Sequence, residues 1–180
     1  KGRLAGLSEA RISAMLDRDD RALGGKKMSD AEAVERRGDG FVVSFERRHR
    51  IWLYPGAKPH KSVPQALPPP PGLGRAPRNG GIEALAPLPG GGLLVLTEGL
   101  AAAGGLRGWH YDGQNWLALI YQTTGQFKPT DLAALPGGGF MVLERRYTTL
   151  GGPAARLQII AGITPGAPLI GREIATMALP

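Results

Sequence analysis

Acidic residues recur in this sequence at the two ends of one short pattern. The stretch GGIEALAPLPGGGLLVLTE, residues 80–98, places Glu83 and Glu98 on either side of a glycine-rich turn. Upstream, SDAEAVERRGDGFVVSFERR carries Glu32 and Glu46; downstream, KPTDLAALPGGGFMVLERR carries Asp131 and Glu144. If a fold gathers these groups, their charges repel and two resolutions exist. A hard cation can neutralise them, since Ca²⁺ takes roughly six to eight oxygen ligands. Alternatively each carboxylate pairs with an arginine or accepts backbone N–H bonds. Arg47, Arg48, Arg145 and Arg146 stand beside the pattern as partners, or as contacts to an anionic substrate.

The elements that must position these acids are strands. Each copy runs from an acid through a short mixed segment, a Gly-rich turn and an apolar run starting at Phe41, Leu93 or Phe140. The period of about 50 residues suits propeller blades rather than helical repeats. Val42, Val43, Leu94, Val95, Met141 and Val142 should lie buried in the second strands of successive blades. RIWLY supplies a third strand in the first copy, and LRGWHYDGQNWLALIY reads as a hairpin around Asp112-Gly113. The proline-rich segment 55–79 needs one short strand, for which QAL is the candidate, since proline is tolerated at a sheet edge. Pro68–Pro71 should be an exposed extended connection, and residues 7–17 an outer strand rather than a helix.

The expected fold is all-β: a β-propeller of about three four-stranded blades plus the tail of a preceding one, with residues 1–180 part of a single domain incomplete at both ends. A closed propeller needs roughly four to eight blades, so further blades of the same chain or a partner protein should complete it. In an up-and-down blade the start of strand one and the end of strand two share an edge. Glu32, Glu83 and Asp131 should therefore converge on one channel mouth, with Glu46, Glu98 and Glu144 farther out.

Composition removes several alternatives. Without cysteine there is no disulfide, thiol chemistry or Cys-based zinc site. The net charge of +7 suits acidic partners such as phosphorylated compounds, but the cations are spread along the chain and no nucleic-acid-binding signature appears. No apolar run is long enough for a transmembrane helix. Ser44 has no G-x-S-x-G context, and His49, His60 and His110 lack metal-ligand spacing. The PGGG runs lead into strands and read as turns, not phosphate loops. Trp52, Trp109 and Trp116 should pack between blades.

SDAEAVERRGDGFVVSFERRHRIWLYP, NGGIEALAPLPGGGLLVLTE and PTDLAALPGGGFMVLERRYTTLGGPAARLQII resemble the phytase-like domain family, also described as esterase-like activity of phytase. The resemblance runs from about residue 4 to 180. It implies an exported bacterial propeller, periplasmic or secreted, and calcium-assisted hydrolysis of phosphate monoesters. Glu32, Glu83 and Asp131 would be its acidic blade-start positions. The alternative is a non-catalytic propeller serving as a binding or assembly module; the sequence contains no self-contained set of nucleophile, base and metal ligands.

Overall fold

The computed structural model describes Gly6 and residues 12–178. It contains three four-stranded antiparallel sheets, each a simple meander. The first holds β1 (Ala31–Arg37), β2 (Gly40–Phe45), β3 (Arg50–Tyr54) and β4 (Gln65–Ala66); the expected QAL edge strand is present. The second holds β5 (Ile82–Pro87), β6 (Leu93–Ala102), β7 (Gly105–Tyr111) and β8 (Trp116–Tyr121). The third holds β9 (Lys128–Ala134), β10 (Phe140–Thr148), β11 (Gly152–Ile160) and β12 (Arg172–Ala178). The first strands are neighbours, β1 beside β5 and β5 beside β9, as in consecutive propeller blades. The described residues do not close a ring.

Strand alternation explains the core. Successive side chains point to opposite faces, and β6, the second strand of the middle blade, is covered on both. Leu94 and Leu96 pack with Leu132, Phe140 and Val142 of the third blade. Leu93 and Val95 pack with Val42, Ile51 and Trp109 on the side of the first blade. That double burial is why β6 opens with an unbroken apolar run. The last strand, β12, has no outer neighbour among the described residues and is exposed throughout. Of the six second-strand residues expected to be buried, all are except Met141, which is half-buried. Trp109 and Trp116 belong to the cluster between the first two blades, whereas Trp52 packs on the opposite face of the first blade with Met15 and Leu23.

Two expectations change. The proline connection is not wholly exposed: Pro70 is buried, Leu73 is a core residue and Pro68 O accepts the Trp116 indole N–H at 2.8 Å. An extended segment without internal hydrogen bonds offers free carbonyls, and here one is used to dock the connection on the second blade. Of the segment 7–17, residues 7–11 lie outside the described residues. The remainder, 12–17, is neither the expected strand nor a helix; Leu16 makes only an isolated antiparallel bridge with Ala22, and Leu16 O accepts the Tyr54 hydroxyl at 2.8 Å.

The turns before the apolar runs require glycine. Gly139 has φ +76°, and a Cβ there would sit 2.5 Å from Ile160 O. Such a position is open to glycine at no steric cost.

Candidate functional site

The first strand of every blade carries a bulge at one equivalent place. Pairing shifts between Ala31 and Ala33 in β1, and between Ile82 and Ala84 in β5. In the third blade Leu143 pairs with Asp131 but Glu144 pairs with Pro129. The extra residue, turned out of the ladder as bulges do, is therefore Glu32, Glu83 or Thr130. Beside it, the Glu46 N–H donates to Asp30 O, the Glu98 N–H donates to Gly81 O, and Lys128 faces Arg145. Three positions per blade thus meet on one rim: Asp30, Glu32 and Glu46; Gly81, Glu83 and Glu98; Lys128, Thr130 and Arg145. The rim is acidic on the first blade and basic on the third.

Glu32 and Glu83 occupy equivalent bulge positions on neighbouring first strands, and the Glu32 charge contributes to raising Glu83. Asp131 does not join them. It lies one residue beyond the bulge, exposed, with Oδ1 accepting its neighbour's N–H, and its charge is felt by Glu35. A one-residue slip along a strand turns a side chain to the other face. For the same reason the position equivalent to Glu46 and Glu98 is Arg145, not Glu144. Glu144 is fully buried, where its carboxylate accepts bonds from Tyr121, Arg156 and Gln158.

The rim is largely self-neutralising. Arg145 Nη2 lies 3.2 Å from Glu83 Oε2 and 3.0 Å from Glu98 Oε2, and Lys128 Nζ lies 3.2 Å from Glu98 Oε1. Glu46 Oε1 accepts the Gly81 N–H at 3.0 Å, tying the first blade to the second. A Cβ at Gly81 would approach His49 Nδ1 to 2.6 Å, so a larger residue here would push the His49 ring aside. Burial, reinforced by a hydrogen bond with Glu98 and by its charge, pushes Glu83 up to about 8 despite Arg145. Burial also acts to raise Glu98, but bonds from Glu83, Lys128 and Arg145 outweigh it and hold Glu98 below the usual range. Burial and the charges of Glu46 and Asp30 raise Glu32.

A pH dependence follows. Glu83, raised from 4.5 to about 8, holds a proton in the folded state where the unfolded chain has lost it. Stability should therefore be highest below about pH 4.5 as far as this group is concerned, and fall as pH rises to 8. Without screening the loss would be about 5 kcal/mol; solvent at the rim reduces it to about 2 kcal/mol. Glu98 has the opposite sign and acts below pH 4.5. Denaturation of wild type and Glu83→Gln between pH 5 and pH 8 should show a slope in the wild type that the variant loses. Parallel curves would show that Glu83 titrates normally.

The four arginines separate into two groups. Arg47, with φ +59°, bonds Asp30 through Nε, and Arg48 Nη1 lies 3.0 Å from Met28 Sδ, both on the first blade. Arg145 and Arg146 line a cleft of 690 Å³ together with Lys128, Phe127, Glu98 and Tyr147. The Arg146 guanidinium stacks over Phe127 at 4.7 Å, and its buried Nε has no partner among the described residues. The other sequence candidates are structural: Ser44 donates to Ile82 O at 2.8 Å and accepts the Ala33 N–H.

Among the described residues, Asp30, Glu32 and Glu46 offer one oxygen each within 4.8 Å of one another, a spacing that could hold a metal. The all-oxygen set suits a hard divalent cation. Lys128, which completes the basic side of the rim, is not marked in the sequence, where Asp131 supplies the acid expected at the start of this strand.

Blades in meander order, with equivalent residues meeting on one rim, define a propeller-type protein. The family model described as "Phytase-like: Esterase-like activity of phytase" matches residues 1–167, and the chain belongs to that family. No curated protein and no solved structure matches it. No helix among the described residues is long and apolar enough to cross a membrane.

Proposed function

We propose that the chain forms the catalytic rim of an exported hydrolase, periplasmic or secreted, that cleaves phosphate monoesters in the cleft beside Arg145. The observation that carries this reading is the juxtaposition of Glu83 and Glu98 with Arg145 and Lys128 at the edge of that cleft. Arg145, Arg146 and Lys128 hold the substrate's anionic group; guanidinium forks match phosphate oxygens bidentately. Glu98, ionised, takes a proton from the attacking water, and Glu83 delivers one to the leaving oxygen. Two carboxyl groups of unequal proton affinity suit this division of labour. Asp30, Glu32 and Glu46 fit a hard cation such as Ca²⁺, which would act as a Lewis acid on a phosphate oxygen.

The cleft also restricts the substrate. Phe127, Leu106, Pro153 and Ala154 give it an apolar wall, and its three cations face one carboxylate. This composition suits a monoester with an apolar body better than a polyanion. The full chain is tested with 4-nitrophenyl phosphate and 4-nitrophenyl acetate, in Ca²⁺ and in chelator. Expected is turnover of the phosphate ester that falls at least about tenfold without Ca²⁺. Turnover of the acetate alone would replace the phosphatase reading by a carboxylesterase.

A second reading, a non-catalytic assembly module, is favoured by the open face of the first blade. Val34 is 62% exposed there, beside a mainly apolar hollow walled by Met15, Phe41, Val43 and Tyr54. Further blades or a partner protein would cover it. Turnover of neither ester by folded protein would leave this reading in place.

A further inference from the structure

The two outer faces of the blade stack differ from the faces inside it. In β1, Val34 holds the place of Leu85 in β5 and Leu132 in β9, since each pairs with the equivalent second-strand valine, Val43, Val95 or Val142. Leu85 and Leu132 are 0% and 1% exposed, whereas Val34 is 62% exposed. At the other end, Ala133 holds the place of Ala86, and Met141 and Leu143 hold those of Leu94 and Leu96. Ala86, Leu94 and Leu96 are buried against the third blade; Ala133 is exposed, and Met141 and Leu143 are half-buried. Inside the chain such faces cover each other, with Leu94 and Leu96 packed on Leu132 and Phe140. Met141 and Leu143 at one end, and Val34 and Phe41 at the other, are the same two halves of that contact. Met15 and Leu23 lie over β2 and β3 on the first blade but leave Val34 open.

The rim indicates what covers them. Where two blades meet, the residue ending the second strand contacts the residue at the start of the next blade. Glu46 Oε1 accepts the Gly81 N–H at 3.0 Å, and Lys128 Nζ lies 3.2 Å from Glu98 Oε1. The third blade presents Arg145 at the same place, 62% exposed and engaged among the described residues only through Nη2. An acid at the start of the next blade would complement it. Asp30 stands at that position in the first blade, equivalent to Gly81 and Lys128. The basic end of the stack therefore matches its own acidic end. Stoichiometry follows from closure. A propeller ring takes roughly four to eight blades; one set of three falls short, three sets exceed the range, and two sets make six. Head-to-tail contacts between identical chains form a ring where the rotation closes.

We propose that the outer faces of the first and third blades are covered by a second copy of this chain, seated head to tail, with Arg145 of each copy against Asp30 of the other. Six blades then surround one axis. The proposal does not depend on whether the cleft cleaves an ester.

The test is sedimentation velocity of the full chain over a concentration series, with Val34→Asp, Ala133→Asp and an equimolar mixture of the two. Expected is a dimer whose Kd rises about tenfold or more in each variant. The mixture should associate more tightly than either variant by itself, because one of its two contacts joins unaltered faces. A monomer would assign the covering surfaces to further blades of the same chain, and a series of species larger than two copies would show that the contact does not close; either overturns the proposal. So does a dimer weakened by neither substitution or by only one, the mark of a two-fold contact through a single face. Both positions are exposed, so the variants should keep the fold, which circular dichroism checks. The wild-type mass tests the proposal even if a variant does not fold.

Discussion

Replacing Glu144 by Ala is expected to lower the unfolding free energy by about 3–5 kcal/mol. The Glu144 carboxylate is fully buried and accepts three bonds: from Tyr121 Oη at 2.9 Å, Arg156 Nε at 2.6 Å and Gln158 Nε2 at 2.6 Å. Tyr121 ends the last strand of the second blade, whereas Arg156 and Gln158 belong to the third. The carboxylate therefore ties one blade to the next. Burial and the Glu144 charge push the Tyr121 hydroxyl well above its ordinary pKa, so it stays a donor. Removing the carboxylate leaves the Arg156 charge, which is 8% exposed, with only Thr124 and the half-exposed Glu173 carboxylate 3.8 Å away. Neither that distant, solvated carboxylate nor stacking over Phe127 at 4.2 Å replaces the buried anion at 2.6 Å. The loss comes from the partner left behind rather than from the worth of the pair. Glu144→Leu combined with Arg156→Met should accordingly recover most of the stability, because apolar residues of similar volume often replace a buried pair at little cost. Urea midpoints of the single and double variants decide this. A single-variant loss below about 1 kcal/mol would show that the site admits solvent.

Arg145→Ala should lower kcat/KM for the phosphate ester by about 10²–10³, the effect of removing one preorganised electrostatic contact to developing charge. The same substitution should cost little global stability, since the Arg145 side chain is 62% exposed and such pairs contribute about 0–1 kcal/mol. Arg145 also helps to hold Glu98 ionised. Its removal should raise the Glu98 pKa and move the acid limb of the pH–rate profile upward. Arg145→Lys keeps the charge but loses the fork, and should fall between the two. A purely structural arginine would move the stability and leave the profile in place; a fall in kcat/KM of less than about threefold would remove Arg145 from the mechanism.

Much of the fold is legible in the sequence because strand and turn signals are local. The PGGG turns, the apolar runs after them and the repeat of about 50 residues suffice to place three meander blades. The apolar character of residues 93–96 even anticipates that the middle blade is covered on both faces. The candidate rim was legible only in part. Glu32, Glu46, Glu83 and Glu98 could be aligned by eye, because each copy carries an acid at the same place. Asp131 and Glu144 were aligned by chemical type, and type is misleading where one residue decides the face. A counting signal was available: six residues before the turn proline stands Glu83 in one copy and Thr130 in the other. Six residues after the last turn glycine stands Glu98 in one and Arg145 in the other.

The sequence by itself determined the blade type, the turns, the candidate carboxylates of the first two blades and the family. Only the tertiary structure decided which groups meet. Pairing register and the bulges selected Thr130 and Arg145 over Asp131 and Glu144, because a bulge turns one chosen side chain out of the ladder. Packing between blades put the Glu144 carboxylate in the interior and made it a tie. Packing also closed the Trp109 indole N–H off from every acceptor among the described residues. Each of these outcomes depends on which surfaces of distant segments face one another, and a periodic sequence leaves that to the folded chain.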